Sequence, residues 1–168
     1  MIFVMMMMFL ALLGSSMASE GVIKADVVVL DYNDLVARKD LSGEIERAFG
    51  HDGIGLLTVK NVPRLEQARE TLLPMARKFG ELEDSIKEKY VHPESFYSFG
   101  WSHGKEKLQG GKPDTSKGSF YANPIVDIVT DDEAIIKKYP GFATPNIWPT
   151  EDMPELEPAF KDLGQLVV

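Results

Sequence analysis

The pattern of apolar and polar residues near the start of the chain predicts two short strands that flank a helix. Residues 27–30 (VVVL) form a β-branched run, which is typical of a buried strand. Residues 41–50 carry apolar side chains at helical spacing, and Asp40 stands where an N-cap is expected. Residues 54–59 (IGLLTV) predict the second strand. Elements of this length in this order indicate one crossover unit.

The middle of the chain has the most regular helical pattern. Residues 64–79 repeat apolar side chains with a period near 3.6. Pro74 lies inside this segment, so we expect the helix to be kinked or split there, and Gly80 to end it. Residues 82–90 (LEDSIKEKY) predict a charged, solvated helix.

The last part of the chain predicts two more helices. Residues 131–139 form a short one, and residues 140–154 form an irregular connection that Trp148 is expected to anchor. Residues 155–168 begin a helix that places three apolar side chains on one side: Leu156, Phe160 and Leu163.

Residues 96–123 (FYSFGWSHGKEKLQGGKPDTSKGSFYAN) combine aromatic residues with glycine, lysine and serine. Most connections are shorter than this, and exposed aromatics on a long loop usually contact a ligand or another domain. We therefore take Trp101, His103, Tyr121 and Asn123 as candidate contact residues, and expect His103 to make loop hydrogen bonds rather than to act in catalysis. The alternative is an ordered loop that packs its aromatics beneath itself.

Composition and charge exclude several classes of function. The chain has 168 residues, a formal net charge of −8 and a pI near 4.9, whereas a nucleic-acid binder needs a basic face. The absence of cysteine excludes disulfides, cysteine-ligated zinc and thiol catalysis. Apolar and charged shares of 44% and 26% indicate a soluble globular domain.

Residues 1–13 (MIFVMMMMFLALL) are wholly apolar but too short to cross a bilayer as a helix, which needs about 20 residues. They suit the hydrophobic region of a signal peptide, with Ser16-Met17-Ala18 as a cleavage site, although the basic n-region is missing. Met17 is an alternative true start, which would make the preceding residues a spurious extension; a membrane anchor is a third possibility. We expect residues 1–18 to lie outside the fold. The protein would be cytoplasmic if Met17 is the start and secretory if the signal peptide is real.

The histidines do not predict a metal site. His92-Pro93-Glu94 has the His-x-acid form of a facial iron triad, which also needs a distant third ligand. His103 is the only later histidine, and it lies in the same irregular segment. Gly110-Gly111-Lys112 lacks the spacing and the preceding strand of a phosphate-binding loop. The residues alone therefore predict a soluble α/β domain without catalytic, cofactor-binding or metal residues.

Three segments together resemble a known family. Residues 41–63 (LSGEIERAFGHDGIGLLTVKNVP) are similar to the opening of the iron(II)/2-oxoglutarate-dependent dioxygenases of the isopenicillin N synthase-like group, although the usual histidine at the end of the strand is absent. Residues 73–90 resemble the next helix of that family. Residues 146–149 (NIWP), followed by Met153-Pro154, resemble the start of its long helix. The resemblance covers nearly all of residues 24–164.

The resemblance implies an α/β (α+β) domain over residues 24–164, with strand, helix, strand and helix in that order, that normally packs on a catalytic jelly roll. In the family the jelly roll supplies H-x-D and a distal histidine for iron, and R-x-S for 2-oxoglutarate; this sequence has none of them. We therefore expect the N-terminal part of an oxygenase, from a truncated gene model, a splice form or a fragment, inactive alone. Iron(II), 2-oxoglutarate and a small organic substrate belong to the full-length family, and the candidate loop residues would lie on the substrate side.

Two further functions stay open at this point. The chain could be an interaction protein that pairs with a separate jelly-roll partner, or a secreted binding protein that uses the aromatic loop of residues 96–123. Without the jelly roll we expect open strand edges and an uncovered apolar face, with the last helix frayed.

Overall fold

In the computed structural model, which describes residues 24–168, helices and short strands are mixed along the chain. The predicted α+β class is confirmed. The chain divides into two units, Met1–Asn61 (unit 1, described from residue 24) and Val62–Val168 (unit 2). The prediction of a signal-like or spurious segment at residues 1–18 lies outside the described residues.

Unit 1 is built around one crossover, as predicted. Its elements are β1 (Val28–Asp31), α1 (Tyr32–Val36), α2 (Ser42–Phe49) and β2 (Leu57–Lys60). The two strands pair in parallel, with Val28 opposite Leu57. Their inward side chains meet α2 in a small apolar cluster: Val28, Leu30, Leu41, Ala48, Leu57 and Val59.

Unit 1 differs from the sequence prediction in two places. Helix α1 was missed; the carboxylate of Asp31 accepts a hydrogen bond from the Asn33 N–H at 3.0 Å and caps it. Strand β2 begins at Leu57 rather than at residue 54, because Gly55 has a positive φ of 73° that breaks the extended backbone. The N-cap of α2 is Leu41 rather than the predicted Asp40, which lies one residue earlier and accepts the N–H of Ser42 at 3.0 Å.

Unit 2 contains the other helices and a hairpin. Helix α3 (Leu65–Gly80) continues through Pro74 without being split. The predicted helix at 82–90 is a shorter α4 (Asp84–Lys87) followed by a 3-10 turn, Glu88–Tyr90, and a second 3-10 turn covers Pro93–Ser95. The remaining helices are α5 (Glu133–Lys138), α6 (Pro140–Ala143) and α7 (Leu156–Val167).

The stretch 96–123 is not a loop throughout. Strands β3 (Gly100–His103) and β4 (Gly118–Tyr121) form an antiparallel hairpin in which Trp101 stands opposite Phe120. Trp101 is buried and Phe120 is partly buried against the core of unit 2. The alternative prediction, that the stretch packs its aromatics beneath itself, is therefore confirmed for these two side chains.

The core of unit 2 is aromatic. The Phe79 ring from α3 makes edge-to-face contacts with Trp101 and Phe120, with ring centroids 5.4 Å and 5.2 Å away. Leu156 and Met153 complete this cluster. Trp148 is an anchor, as predicted, because its ring packs edge-to-face on Phe160 at 5.5 Å.

Helix α7 is not uncovered, contrary to the sequence expectation. It packs along α3, and Leu156 is 2% exposed. Arg64 at the start of α3 pairs with Asp162 of α7. The sequence did not reveal these contacts because they join residues almost a hundred positions apart. Within residues 24–168, no helix combines the length and apolar character needed to span a bilayer.

Candidate functional site

The hairpin has two faces with different chemistry. Trp101, His103 and Phe120 share the face that packs on the core, since strand side chains alternate and these positions pair in register. Ser102, Ser119 and Tyr121 share the opposite face. That second face forms one wall of a cleft, and the first fixes the hairpin in place.

Two glycines allow the hairpin to sit close to its neighbours. Gly100 has a φ of +73°, and a Cβ there would lie 2.1 Å from the carbonyl oxygen of Tyr90. A Cβ on Gly118 would lie 2.1 Å from the Trp101 ring. Both positions need glycine because a side chain would displace backbone or a core aromatic.

The cleft on the outer face of the hairpin has a volume of about 340 Å³. Its aromatic walls are Phe96, Tyr97 and Tyr121, and its polar lining includes Ser102, Lys105 and Glu106. The Lys105 amino nitrogen lies 5.5 Å from the centre of the Tyr97 ring, within range of a cation–π contact.

The aromatic wall stands on an unusual backbone. Phe96 and Tyr97 are consecutive residues with left-handed φ angles of 56° and 60°. Bulky residues adopt this conformation rarely, at a cost of roughly 1–3 kcal/mol each. His92 holds the preceding turn, because its Nδ1 accepts the Ser95 N–H at 3.1 Å and its carbonyl accepts the Ser95 hydroxyl at 2.9 Å.

The four candidate residues that the sequence analysis named have different surroundings in the structure. Trp101 is part of the core, and Tyr121 lines the cleft. His103 is exposed; its Nε2 lies 3.2 Å from the Thr115 carbonyl oxygen, the loop hydrogen bond that was expected. Asn123 caps a turn by accepting the N–H groups of the two residues after Pro124, and its own N–H bonds to Asn146. A role in substrate contact stays a prediction for all four.

Sequence reasoning placed a contact surface in residues 96–123 but did not select the four residues that form most of the cleft: Phe96, Tyr97, Lys105 and Glu106. The aromatic type of Phe96 and Tyr97, at the start of the long stretch 96–123, was the available signal. No local pattern placed Lys105 beside Tyr97.

Asp127 organises the segment after the hairpin. Its Oδ1 accepts hydrogen bonds from Asn146 Nδ2 at 2.9 Å and Trp148 Nε1 at 2.8 Å, and its Oδ2 accepts from Lys161 at 2.6 Å. The hydrogen bonds from Lys161, Trp148 and Asn146 lower the pKa of Asp127 to about 2. This carboxylate therefore ties the NIWP segment and α7 to the chain that leaves β4.

A second carboxylate fixes the turn before the hairpin. The Tyr90 hydroxyl donates to Asp152 Oδ2 at 2.5 Å, and Lys89 pairs with the same carboxylate at 3.1 Å. Burial, together with this hydrogen bond, raises the pKa of Tyr90 to about 12. Neither group lines the cleft, so we assign both to folding.

The described histidines do not fit an iron site. His92 Nδ1 is engaged in the turn, and its Nε2 lies 3.7 Å from Glu94. Across residues 24–168, no group of three histidine, aspartate, glutamate or cysteine side chains could hold a metal ion. No chemical step through a metal is therefore derived for these residues.

Comparison with known proteins identifies the family. The model of the family described as "non-haem dioxygenase in morphine synthesis N-terminal" matches residues 26–151, which is three quarters of the chain. A search of curated proteins and a search of solved structures found no match. The matched region runs from β1 to the turn before α7, and so includes the crossover, the hairpin and the NIWP segment. The chain belongs to the family of non-haem dioxygenase N-terminal domains.

Proposed function

We propose that residues 24–164 act as the N-terminal domain of an iron(II)- and 2-oxoglutarate-dependent oxygenase of the isopenicillin N synthase-like group. Oxidation of a small organic substrate then requires a jelly-roll catalytic domain in addition to these residues. The match of the family model over residues 26–151 carries this proposal. Surfaces in both units support it.

The two-stranded sheet of unit 1 could be extended by a strand from another domain. Two strands alone are marginally stable in water, and among residues 24–168 no third strand pairs with either edge of this sheet. On the side away from the small core, Val29 is 53% exposed. A jelly-roll strand that paired with β1 or β2 would satisfy the edge, and packing of the jelly roll on the outer face of the sheet would cover Val29.

Unit 2 presents an apolar ridge of its own. The Asp127 side chain points into the hydrogen-bond cluster, and its four apolar neighbours are between 43% and 60% exposed: Ile125, Val126, Ile128 and Val129. Asp127 thus holds the segment while leaving the ridge in solvent. Several exposed apolar side chains along one short segment are typical of contacts between domains.

The first experiment measures activity. The purified chain is incubated with iron(II), ascorbate and 2-oxoglutarate, and succinate and carbon dioxide are measured. We expect no turnover above the buffer blank, because the described histidines do not form a metal-binding group. Stoichiometric succinate from this chain alone would contradict the proposal.

The second experiment measures association with a separately expressed jelly-roll domain of the same family, by analytical ultracentrifugation. Ile128→Asp on the ridge and Val29→Asp on the sheet should each weaken the complex at least about tenfold, since each places a charge in an apolar contact. Val36→Asp is the matched control, because Val36 is also exposed but lies on α1. Failure of the wild-type chain to associate, or equal effects of all three substitutions, would count against docking through these surfaces.

A further inference from the structure

The cleft on the outer face of the hairpin includes Tyr121 but contributes no observation to the proposed function. We propose that it binds a planar organic anion, a fused aromatic ring system that carries one carboxylate. The site consists of described side chains from unit 2, so it needs no second domain and goes beyond the proposed function.

The shape of the cleft favours a flat, apolar body. Its volume of about 340 Å³ falls at the small end of the roughly 300–1,000 Å³ typical of ligand sites. Phe96 is 75% exposed although it is a large apolar side chain, and with Tyr97 and Tyr121 it offers three ring surfaces around one opening. Aromatic surfaces of this kind stack on planar ligands.

The backbone holds these rings before any ligand arrives. Phe96 and Tyr97 both have left-handed φ angles, and the His92–Ser95 hydrogen bonds fix the turn that leads into them. Strained backbone that the surrounding structure maintains is found most often at binding sites. A pre-organised ring wall also reduces the ordering that binding would otherwise require.

The charges in the cleft favour an anion. The carboxylate of Glu106 is paired with Lys117 at 2.8 Å. Within the described residues no carboxylate lies in ion-pair range of Lys105, whose amino group is exposed against the Tyr97 ring. A ligand stacked on Tyr97 would therefore bring its carboxylate to the one cation in the cleft that has no acidic partner there.

The net charge of −8 opposes the approach of an anion over long distances. At about 0.15 M salt this repulsion is screened beyond roughly 8 Å, whereas a direct contact with Lys105 is not. The test is therefore made at physiological ionic strength.

The probe is 2-naphthoate, titrated into the full chain and followed by amide shifts in ¹H–¹⁵N NMR spectra. We expect saturable shifts at Tyr97, Ser102, Lys105 and Tyr121, with a dissociation constant of about 1 mM. The neutral analogue 2-naphthamide should bind about two- to fivefold more weakly, since it lacks the charge that Lys105 meets.

Lys105→Met keeps the apolar stem and removes the charge. This substitution should weaken the binding of 2-naphthoate about two- to fivefold and leave the binding of 2-naphthamide unchanged. Phe96→Ala should weaken both probes about fivefold, because both stack on the ring. The matched controls are Lys112→Met and Phe142→Ala, two exposed positions outside the cleft, and they should leave both probes unchanged.

Amide dispersion in each spectrum reports whether a variant is folded, and Lys105 and Phe96 are exposed enough for substitution. Shifts that do not saturate, or that spread over the surface of unit 2, would overturn the proposal. An equal loss of affinity for 2-naphthoate and 2-naphthamide in Lys105→Met would also overturn it, since the charge would then have no role. If one cleft variant fails to fold, the comparison of the two probes on the wild-type chain still decides between an anion site and an apolar one.

Discussion

The two units of this chain bury apolar side chains to very different extents. Unit 2 has an interior in which Phe79, Trp101 and Leu156 are each 9% exposed or less and contact one another. In the described part of unit 1 the buried cluster has only three residues, all of them aliphatic: Val28, Leu30 and Ala48. Large apolar side chains of the same unit, such as Phe49 and Leu56, are more than half exposed.

This difference separates a region with its own core from one whose described residues bury few large apolar side chains. Full burial of a large apolar side chain contributes roughly 1.5–3 kcal/mol, so the aromatic cluster of unit 2 supplies much of the stability that a small domain has. A two-stranded parallel sheet with two short helices cannot supply as much. Unit 1 is therefore the region whose stability we expect a catalytic domain to change most.

The largest expected effect comes from the centre of unit 2. Phe79→Ala removes the ring that contacts Tyr90, Trp101 and Phe120, and should destabilise unit 2 by about 3–5 kcal/mol. Leu30→Ala is the matched change in unit 1 and should leave the unit 2 transition unchanged. Urea unfolding followed by tryptophan fluorescence reports on unit 2, because both tryptophans lie there. If the two substitutions lowered the midpoint of the fluorescence transition equally, the two units would unfold as one.

The close approach at Gly118 gives the next largest effect. Gly118→Ala places a methyl group 2.1 Å from an atom of the Trp101 ring, so the hairpin or the indole must move, at about 1–3 kcal/mol. Gly80→Ala is the control, because no heavy atom lies within 4 Å of a Cβ there and alanine favours a helix. We expect a lower melting temperature for the first variant and an unchanged or higher one for the second. The reverse order would contradict the packing described for the hairpin.

These residues also show how far the sequence predicts the fold. The crossover of unit 1 was predictable because β-branched runs and a helical period occupy adjacent segments. The hairpin was not, since β3 and β4 are separated by a long polar connection and only long-range packing of Trp101 on Phe79 makes them strands. The cleft was not predictable either. The positions of Phe96 and Tyr97 depend on left-handed backbone, which a sequence without glycine at these positions does not indicate. Of the four candidate residues, Tyr121 alone lines this cleft.

A smaller effect is expected at the carboxylate that ties the NIWP segment to α7. Asp127→Asn keeps the shape but removes the charge that Lys161 meets, and should cost about 1 kcal/mol because the pair is partly exposed. Asp131→Asn, at an exposed neighbouring position, should cost nothing measurable. The melting temperatures of both variants are compared by thermal unfolding. Equal values would show that the hydrogen bonds of Asp127 do not stabilise the fold.

The same carboxylate predicts the smallest effect, a difference in acid stability. The pKa of Asp127 is lowered from 3.8 to about 2 in the folded chain, so its contribution is present above about pH 4 and is lost as the pH falls toward 2. Other aspartates also have a lowered pKa, so both proteins lose stability in acid. The wild type should nevertheless lose more than Asp127→Asn over this range. Parallel pH profiles would contradict the lowered pKa.

Hydrogen exchange in the 168-residue chain tests the difference between the units most directly. We expect amides of α3, β3 and α7 to exchange at least about tenfold more slowly than those of β1 and β2, which corresponds to about 1.4 kcal/mol in opening free energy. The frayed last helix expected from the sequence would exchange rapidly, whereas the burial of Leu156 predicts protection there. Equal protection of β2 and α3 would mean that unit 1 has all the contacts it needs, and would contradict the claim that it depends on a further domain.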